Sequence, residues 1–365
     1  MFIHNGEISV RQVRFMLILQ MFNISVLLLP RIAAYQVGVD GYLLPLAALP
    51  LVLIYALVII ALTNQFKGDS LVEFIPKILP KSIGRLIIFA FLIKIIISIG
   101  LELRMFGEMI SEVMLPKTPL AVIMITLLLT AGYLVKSGIE ATGRTAELLV
   151  YFVFIPLAIV LGLIIVKTDY YELLPIFQSD AKSIVKGAYY ISLTFAPMEF
   201  MLLLAGLMKK QEKANKACIW AVIITILIQT LVVMMTYTAI GMEESKRYIW
   251  PVLTLMQSIE FPGSFVENQE VLMMTSWVLS VFMYVASGLF FSGFLISRSF
   301  GFKRENISIL PLIPIIYFVA MIPDSLINTY KYYVAFQRYF GVWFLFPIPC
   351  LLWLIAKLRK AGDNS

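Results

Sequence analysis

Apolar residues run along this chain in long blocks, separated by short polar stretches. Ten blocks are predicted as helical spans: 9–36, 41–63, 82–112, 119–136, 145–167, 183–208, 214–240, 267–298, 306–322 and 335–358. Crossing a bilayer core of roughly 30 Å takes about 20 residues of α-helix, and most of these blocks reach that length. The third and eighth are longer, which predicts tilt or extension beyond the lipid. Two connections have patterns of their own. Residues 64–81, NQFKGDSLVEFIPKILPK, mix apolar and charged positions and predict a short helix at the interface. Residues 241–266 hold Trp250-Pro251 and Phe261-Pro262-Gly263, and predict a folded surface lid.

Two spans are interrupted from within. Span 6 contains TFAPMEF, with Pro197 two residues before Glu199. Proline lacks the N–H that a helix interior uses, and its ring crowds the carbonyl four residues back, here that of Leu193. A carboxylate in hydrocarbon is unfavourable by about 3 kcal/mol on insertion scales. Span 1 reads MFNISVLLLPRIAAY, with Asn23, Ser25 and Pro30 inside the apolar run. Each interrupted span opens a half of five, 9–167 and 183–358, and halves with an odd number of spans insert in opposite senses. Matching interruptions in two inverted halves point to a binding site at the membrane midplane. Two half-helices meeting at Thr194–Pro197 would present freed amides to a carboxylate and freed carbonyls to an ammonium or cation, the two charges of an amino acid. A proline kink that serves packing alone is the competing reading.

Polar residues within other spans extend the candidate site. Lys94, Ser98 and Glu102 recur at i, i+4 and i+8, one face of span 3 that points away from lipid. Glu199 reads as a proton-relay group, a ligand contact or half of a buried ion pair, with Lys94 one of several open partners. Glu102 and Arg104 fall near the outer end of span 3 and read as interfacial. Span 8 carries Ser276, Ser280, Tyr284 and Ser287 at helical spacing. Such hydroxyls either bond their own helix or a neighbour, or line a cavity, with Tyr284 and Ser287 the lining candidates.

Composition agrees with a membrane protein. The 365 residues are 61% hydrophobic and 14% charged, whereas soluble domains are nearer half apolar and a quarter charged. The net charge of +7 is spread over alternate loops, with no dense basic patch for nucleic acid. With the N-terminus inside, 18 of the 29 Lys and Arg residues fall on the cytoplasmic side, so both termini are predicted cytoplasmic. The N-terminus lacks a cleavable-signal pattern, so span 1 reads as part of the mature chain, a single transmembrane domain over 1–365. Cys218 and Cys350 have no redox or metal spacing and read as reduced thiols. His4 is the sole histidine, and no P-loop, zinc-protease or dinucleotide motif occurs. These features argue against enzyme chemistry and imply no cofactor or metal.

The order of several segments resembles the B-subunit family of bacterial spore germinant receptors, an offshoot of the amino acid–polyamine–organocation permeases. These segments are LLLPRIA, RTAELLVYFVFIPL, ELLPIFQSDAKSIVKGA, PMEFMLLLAGLMKK and WPVLTLMQSIEFPGSFVENQE, spread over nearly the whole chain. The resemblance implies an all-α polytopic fold of ten transmembrane helices, a LeuT-like 5+5 inverted repeat with helices 1 and 6 broken. It further implies a nutrient sensor in the inner spore membrane, acting beside an A-type membrane subunit and a C-type lipoprotein. By position, its pocket residues are Asn23, Ile24, Ser25, Ser98, Thr194, Ala196, Pro197, Tyr284 and Ser287, with Glu199 at a recurrent acidic position. The chain departs from that pattern where Asn23 and Ser25 replace glycines, where Pro197 replaces a glycine, and where Asn268 replaces a basic residue. A proton-coupled amino acid transporter and a structural membrane scaffold are the alternatives to a sensor.

Overall fold

The computed structural model describes residues 6–23, 25–167, 170–257, 269–302 and 309–359, and every regular element among them is helical. Among the described residues, seven helical stretches are long and apolar enough to cross a membrane, and two shorter apolar helices, Leu120–Lys136 and Ile309–Met321, accompany them. The chain is therefore a multi-pass helical membrane protein.

The first interrupted span is two helices, α1 (Val10–Met21) and α2 (Ser25–Val37). Ser9 and Gln12 form a reciprocal capping box that starts α1. At its other end the Phe22 N–H still reaches the Ile18 carbonyl at 2.8 Å, but Phe22 leaves helical geometry at φ −98°, ψ 45°. Gly38, at φ 61°, ends α2 in the left-handed region where glycine carries no Cβ penalty. A 3-10 turn over Gly38–Leu43 then leads into α3 (Leu44–Gln65). The buried Asp40 in that turn accepts the Phe177 and Ser179 N–H groups at 2.6 and 2.8 Å, tying the loop before span 6 to this corner.

The short helix predicted within 64–81 is α4 (Leu71–Ile78), capped by Ser70 and Glu73. It buries Leu71, Val72, Phe74, Ile75 and Ile78, stacks Phe74 on Phe66 at 5.2 Å, and gives its Ile78 carbonyl to Arg359 at 2.8 Å. Long helices α5 (Lys81–Val113), α6 (Leu120–Lys136) and α7 (Ile139–Lys167) follow. Of the lid predicted over 241–266, α11 (Met242–Arg247) and α12 (Pro251–Gln257) pack against α2, and 258–266 lie outside the described residues.

Span 6 is not two half-helices separated by a gap. It runs as α8 (Ala181–Ser192), a 3-10 stretch over Leu193–Phe200, α9 (Met201–Leu204) and a further 3-10 turn over Ala205–Leu207. Proline removes an N–H that an α-helix would send back to Leu193, and the chain responds by tightening to i→i+3 bonding. The hydroxyls of Ser192 and Thr194 reinforce this by donating to the carbonyls of Tyr189 and Ile191, at 2.7 and 2.8 Å. The backbone here is wound tighter, not opened.

The second half continues through α10 (Ala214–Ile240), α13 (Gln269–Phe300) and α14 (Ile309–Met321). The last span begins at Leu326, nine residues before the predicted 335, as α15 (Leu326–Phe336). Asn328, Thr329 and Lys331 dilute its hydropathy, which hides it from a reading based on apolar runs. A π-turn over Gln337–Gly341 joins it to α16 (Val342–Leu345) and α17 (Pro347–Leu358).

Burial separates centre from periphery. Over their most apolar 18 residues, the Ala181–Leu207 and Met274–Phe300 stretches are 78% and 83% buried, whereas Ile139–Ile165 and Leu326–Leu358 are 39% and 33% buried. The broken span, the proline-bearing span and α13 therefore form the middle of the molecule, and the outer helices present apolar faces of the kind lipid covers. Ile8 pairs with the end of span 6: its N–H meets the Leu207 carbonyl at 2.8 Å, and its carbonyl takes the Lys209 N–H at 3.0 Å.

Candidate functional site

The break between α1 and α2 is closed by side chains from two other helices. Ser280 of α13 donates its hydroxyl to the Leu19 carbonyl at 3.2 Å and to the Phe22 carbonyl, both at the end of α1. Asn23, within the break, turns its amide to α5 and contacts both oxygens of Glu102, at 2.9 and 2.8 Å. A helix end buried without such partners would leave its polar groups unsatisfied. Here the Ser280 hydroxyl meets carbonyls at the end of α1, and the Glu102 carboxylate holds the Asn23 side chain within the break.

The 4-residue repeat on α5 directs three polar groups inward. Lys94 contacts Glu199 of the 3-10 stretch, with the two side chains 3% and 0% exposed. Ser98 accepts the Gln337 side-chain N–H at 3.1 Å. Glu102 accepts the Tyr333 hydroxyl at 2.9 Å in addition to Asn23. Tyr284 is 2% exposed, facing Glu102 and Ser98. Its ring lies 6.5 Å from that of Phe200. Glu102, predicted interfacial, is instead fully buried at the centre of this network. Arg104 sits on another side of α5, bonded to Glu108 at 2.5 Å.

Of the sequence candidates, Asn23, Lys94, Ser98, Glu199 and Tyr284 therefore meet in one buried polar cluster. Ser287, one turn beyond Tyr284, is also fully buried, and its hydroxyl has no hydrogen-bond partner. Thr194 stands apart from the cluster, its hydroxyl on its own backbone. Ala196 and Pro197 are buried and add no side-chain polar atom. Ile24 lies outside the described residues, as does the side chain of Ser25, whose backbone opens α2.

Next to the cluster lies a cavity of about 320 Å³ between α2, α8 and α15. Leu28, Ile32, Leu193 and Val334 give it apolar walls, and Thr194 faces it. Tyr333 and Gln337 line the cavity and also bond Glu102 and Ser98, so they form a floor between the space and the charges. Arg338 also borders the cavity, with its guanidinium over the Tyr190 ring at 5.5 Å. That volume is within the range of small-molecule sites.

Tyr333 falls in the nine residues before the predicted start of the last span, whereas Gln337 and Arg338 lie inside that span and were not singled out. A Tyr–Gln pair at i, i+4 in an aromatic-rich helix was the available signal. Gln337 also opens the π-turn, and such turns occur frequently at functional sites.

Comparison with known proteins agrees with these features. The family model described as spore germination protein matches residues 7–329. The chain is 25% identical to spore germination protein YndE of Bacillus subtilis (strain 168) over 372 aligned positions, covering all of both chains. It is 26% identical to spore germination protein A2 of the same organism, over 84% of this chain and 83% of that one. Spore germination protein GerQB of Bacillus cereus is 25% identical, over 97% of this chain and 98% of its own length. With the family model matching across both the broken and the proline-bearing spans, the chain belongs to the spore germination protein family.

Proposed function

We propose that this chain is the ligand-sensing membrane subunit of a spore germinant receptor, binding a small nutrient such as an amino acid between its broken first span and its sixth. The observation that carries the reading is the polar cluster at the break, separated from a cavity of about 320 Å³ only by Tyr333 and Gln337. Ligand bound there would bear on α2, the 3-10 stretch and α15 together. A sensor needs only that ligand favours one arrangement of those elements over another.

The reading includes a ten-helix topology with a LeuT-like 5+5 inverted repeat. It is supported by α1 with α2 as one span, α3, α5, α6, α7, α8 to Leu207, α10, α13, α14, and α15 to α17. It also includes cytoplasmic termini, a place in the inner spore membrane, and an A-type membrane subunit and a C-type lipoprotein as partners. Relatives named as spore germination proteins support that setting. The test is germination of spores lacking the native gene and carrying either this chain or a variant with the cavity filled by Leu28→Trp. Amino-acid-triggered germination restored by the first and lost in the second, at equal membrane levels, is the expected result; equal germination with both would sink the site.

A proton-coupled amino acid transporter is the second reading, favoured by the buried Lys94–Glu199 pair, a group of the kind that relays protons in pumps and transporters. Purified chain in liposomes with labelled amino acids separates the two. Accumulation driven by an imposed pH gradient, and abolished by Glu199→Gln, would establish transport.

A further inference from the structure

The polar cluster holds more acidic groups than basic ones. Among its described residues, two carboxylates, Glu102 and Glu199, face one ammonium, Lys94, and that ammonium is engaged by Glu199. Arg104 supplies no compensation, since Glu108 takes it on another side of α5. Among the described residues Glu102 is bonded by neutral groups: the Asn23 amide at 2.9 and 2.8 Å, the Tyr333 hydroxyl at 2.9 Å and the Tyr284 hydroxyl. A buried carboxylate satisfied by neutral groups gains much less than one facing a cation.

The surroundings hold further open polar groups. The second oxygen of Glu199 and the side-chain oxygen of Gln337 are both buried without a donor, and the buried Ser287 hydroxyl is also unpartnered. Native interiors leave few such atoms unsatisfied, and each one needs an explanation. The missing partner is therefore positively charged and rich in donors, which describes a primary ammonium. Its path is given by the floor of the cavity: Tyr333 covers Glu102 from the cavity side, and its hydroxyl occupies the place on the carboxylate that an incoming ammonium would take.

We propose that Glu102 anchors the ammonium of a small ligand with an apolar side chain, which enters from the cavity between α2, α8 and α15 and displaces the Tyr333 hydroxyl. The apolar part rests on Leu28, Ile32 and Leu193. The proposal rests on the sensing reading for its pocket, and adds which residue is read and which ligand group it reads. It differs from recognition by freed helix-end groups at the first break, because Ser280 and Asn23 already occupy that break.

The experiment titrates purified chain in nanodiscs with three matched probes: leucine, its decarboxylated amine 3-methylbutylamine, and its deaminated acid 4-methylpentanoate. The alanine and phenylalanine series are run in the same way. Amino acids and amines are expected to bind, and the acids to bind at least about tenfold more weakly. Glu102→Gln lowers affinity for amines and amino acids by about tenfold or more. Tyr333→Phe acts in the opposite direction and tightens amine binding, because it removes the competing hydroxyl while keeping the ring. That variant carries the test should Glu102→Gln fail to fold. Acids binding as well as amines, or Tyr333→Phe weakening the amines, would overturn the anchor. Amino acids bound with wild-type affinity by Glu102→Gln would overturn the anchor and leave the sensing pocket standing. No binding by any probe would overturn both.

Discussion

Lys94 of α5 and Glu199 of the 3-10 stretch meet where neither side chain sees solvent, at 3% and 0% exposure. Burying two charges is expensive, and their mutual attraction offsets that only while both are present. Lys94→Met or Glu199→Leu alone therefore strands an uncompensated charge and lowers stability by about 3–5 kcal/mol. The double variant Lys94→Met/Glu199→Leu removes both charges and recovers most of the loss. Thermal midpoints of the purified proteins in one detergent give the comparison. Single variants as stable as wild type, or a double variant no better than the worse single, would show that the pair is not coupled.

Asn23 bridges the break and α5 through Glu102 alone among the described carboxylates. Asn23→Ala leaves Glu102 with the Tyr333 hydroxyl and fewer donors, a loss of about 1–3 kcal/mol. Asn23→Asp is worse, since it sets a second carboxylate against the first within hydrogen-bonding distance. The expected order of thermal midpoints is wild type, then Asn23→Ala, then Asn23→Asp. An Asn23→Asp protein as stable as Asn23→Ala would mean that Glu102 is not ionised there.

Pro197 sets the rotation of Glu199. A 3-10 helix turns about 120° per residue and an α-helix about 100°, so the six steps from Leu193 to Glu199 differ by about 120° between the two forms. Pro197→Ala restores the missing N–H and lets the stretch relax towards α-helix, swinging Glu199 away from Lys94. The expected outcome is a weaker germinant response with normal membrane levels, read from dose–response curves of spores carrying each form. A curve superimposable on wild type would show that Ser192 and Thr194 hold the 3-10 form without proline.

The legible parts of this fold were those written in runs of apolar residues. The interruption at Asn23, the face Lys94–Ser98–Glu102 and the capped helix over 71–78 all follow from spacing or cap chemistry alone. What spacing does not carry is depth. Glu102 lies eight positions from Lys94 and looks interfacial on a span that ends at 112, but Asn23 and Tyr333 pack over it and bury it. The consequence of Pro197 was also ambiguous, because a missing hydrogen bond can be met by opening the helix or by tightening it. Two hydroxyls, on Ser192 and Thr194, select tightening, and only the three-dimensional arrangement displays that choice. Tyr333 escaped because aromatic and polar residues together mask the helical period of Leu326–Phe336, and Gln337, although inside the predicted span, had no polar neighbour at helical spacing recognised before it.

Gly341 closes the π-turn where no larger residue fits. A Cβ there would run into the Gln337 side-chain oxygen and stand 3.6 Å from Lys94 Cε. Gly341→Ala must therefore push the Gln337 amide aside and break its 3.1 Å bond to Ser98, which disturbs the cavity floor without touching either charge of the ion pair. The expected result is a response weakened about tenfold, the equivalent of one lost hydrogen bond of about 1.4 kcal/mol, together with a lower thermal midpoint. Adding Gln337→Ala makes room for the new methyl group, so the double variant regains the midpoint while the response stays weak. Recovery of both would assign Gln337 to packing alone, and recovery of the midpoint only would place the Gln337–Ser98 bond in the path from cavity to cluster.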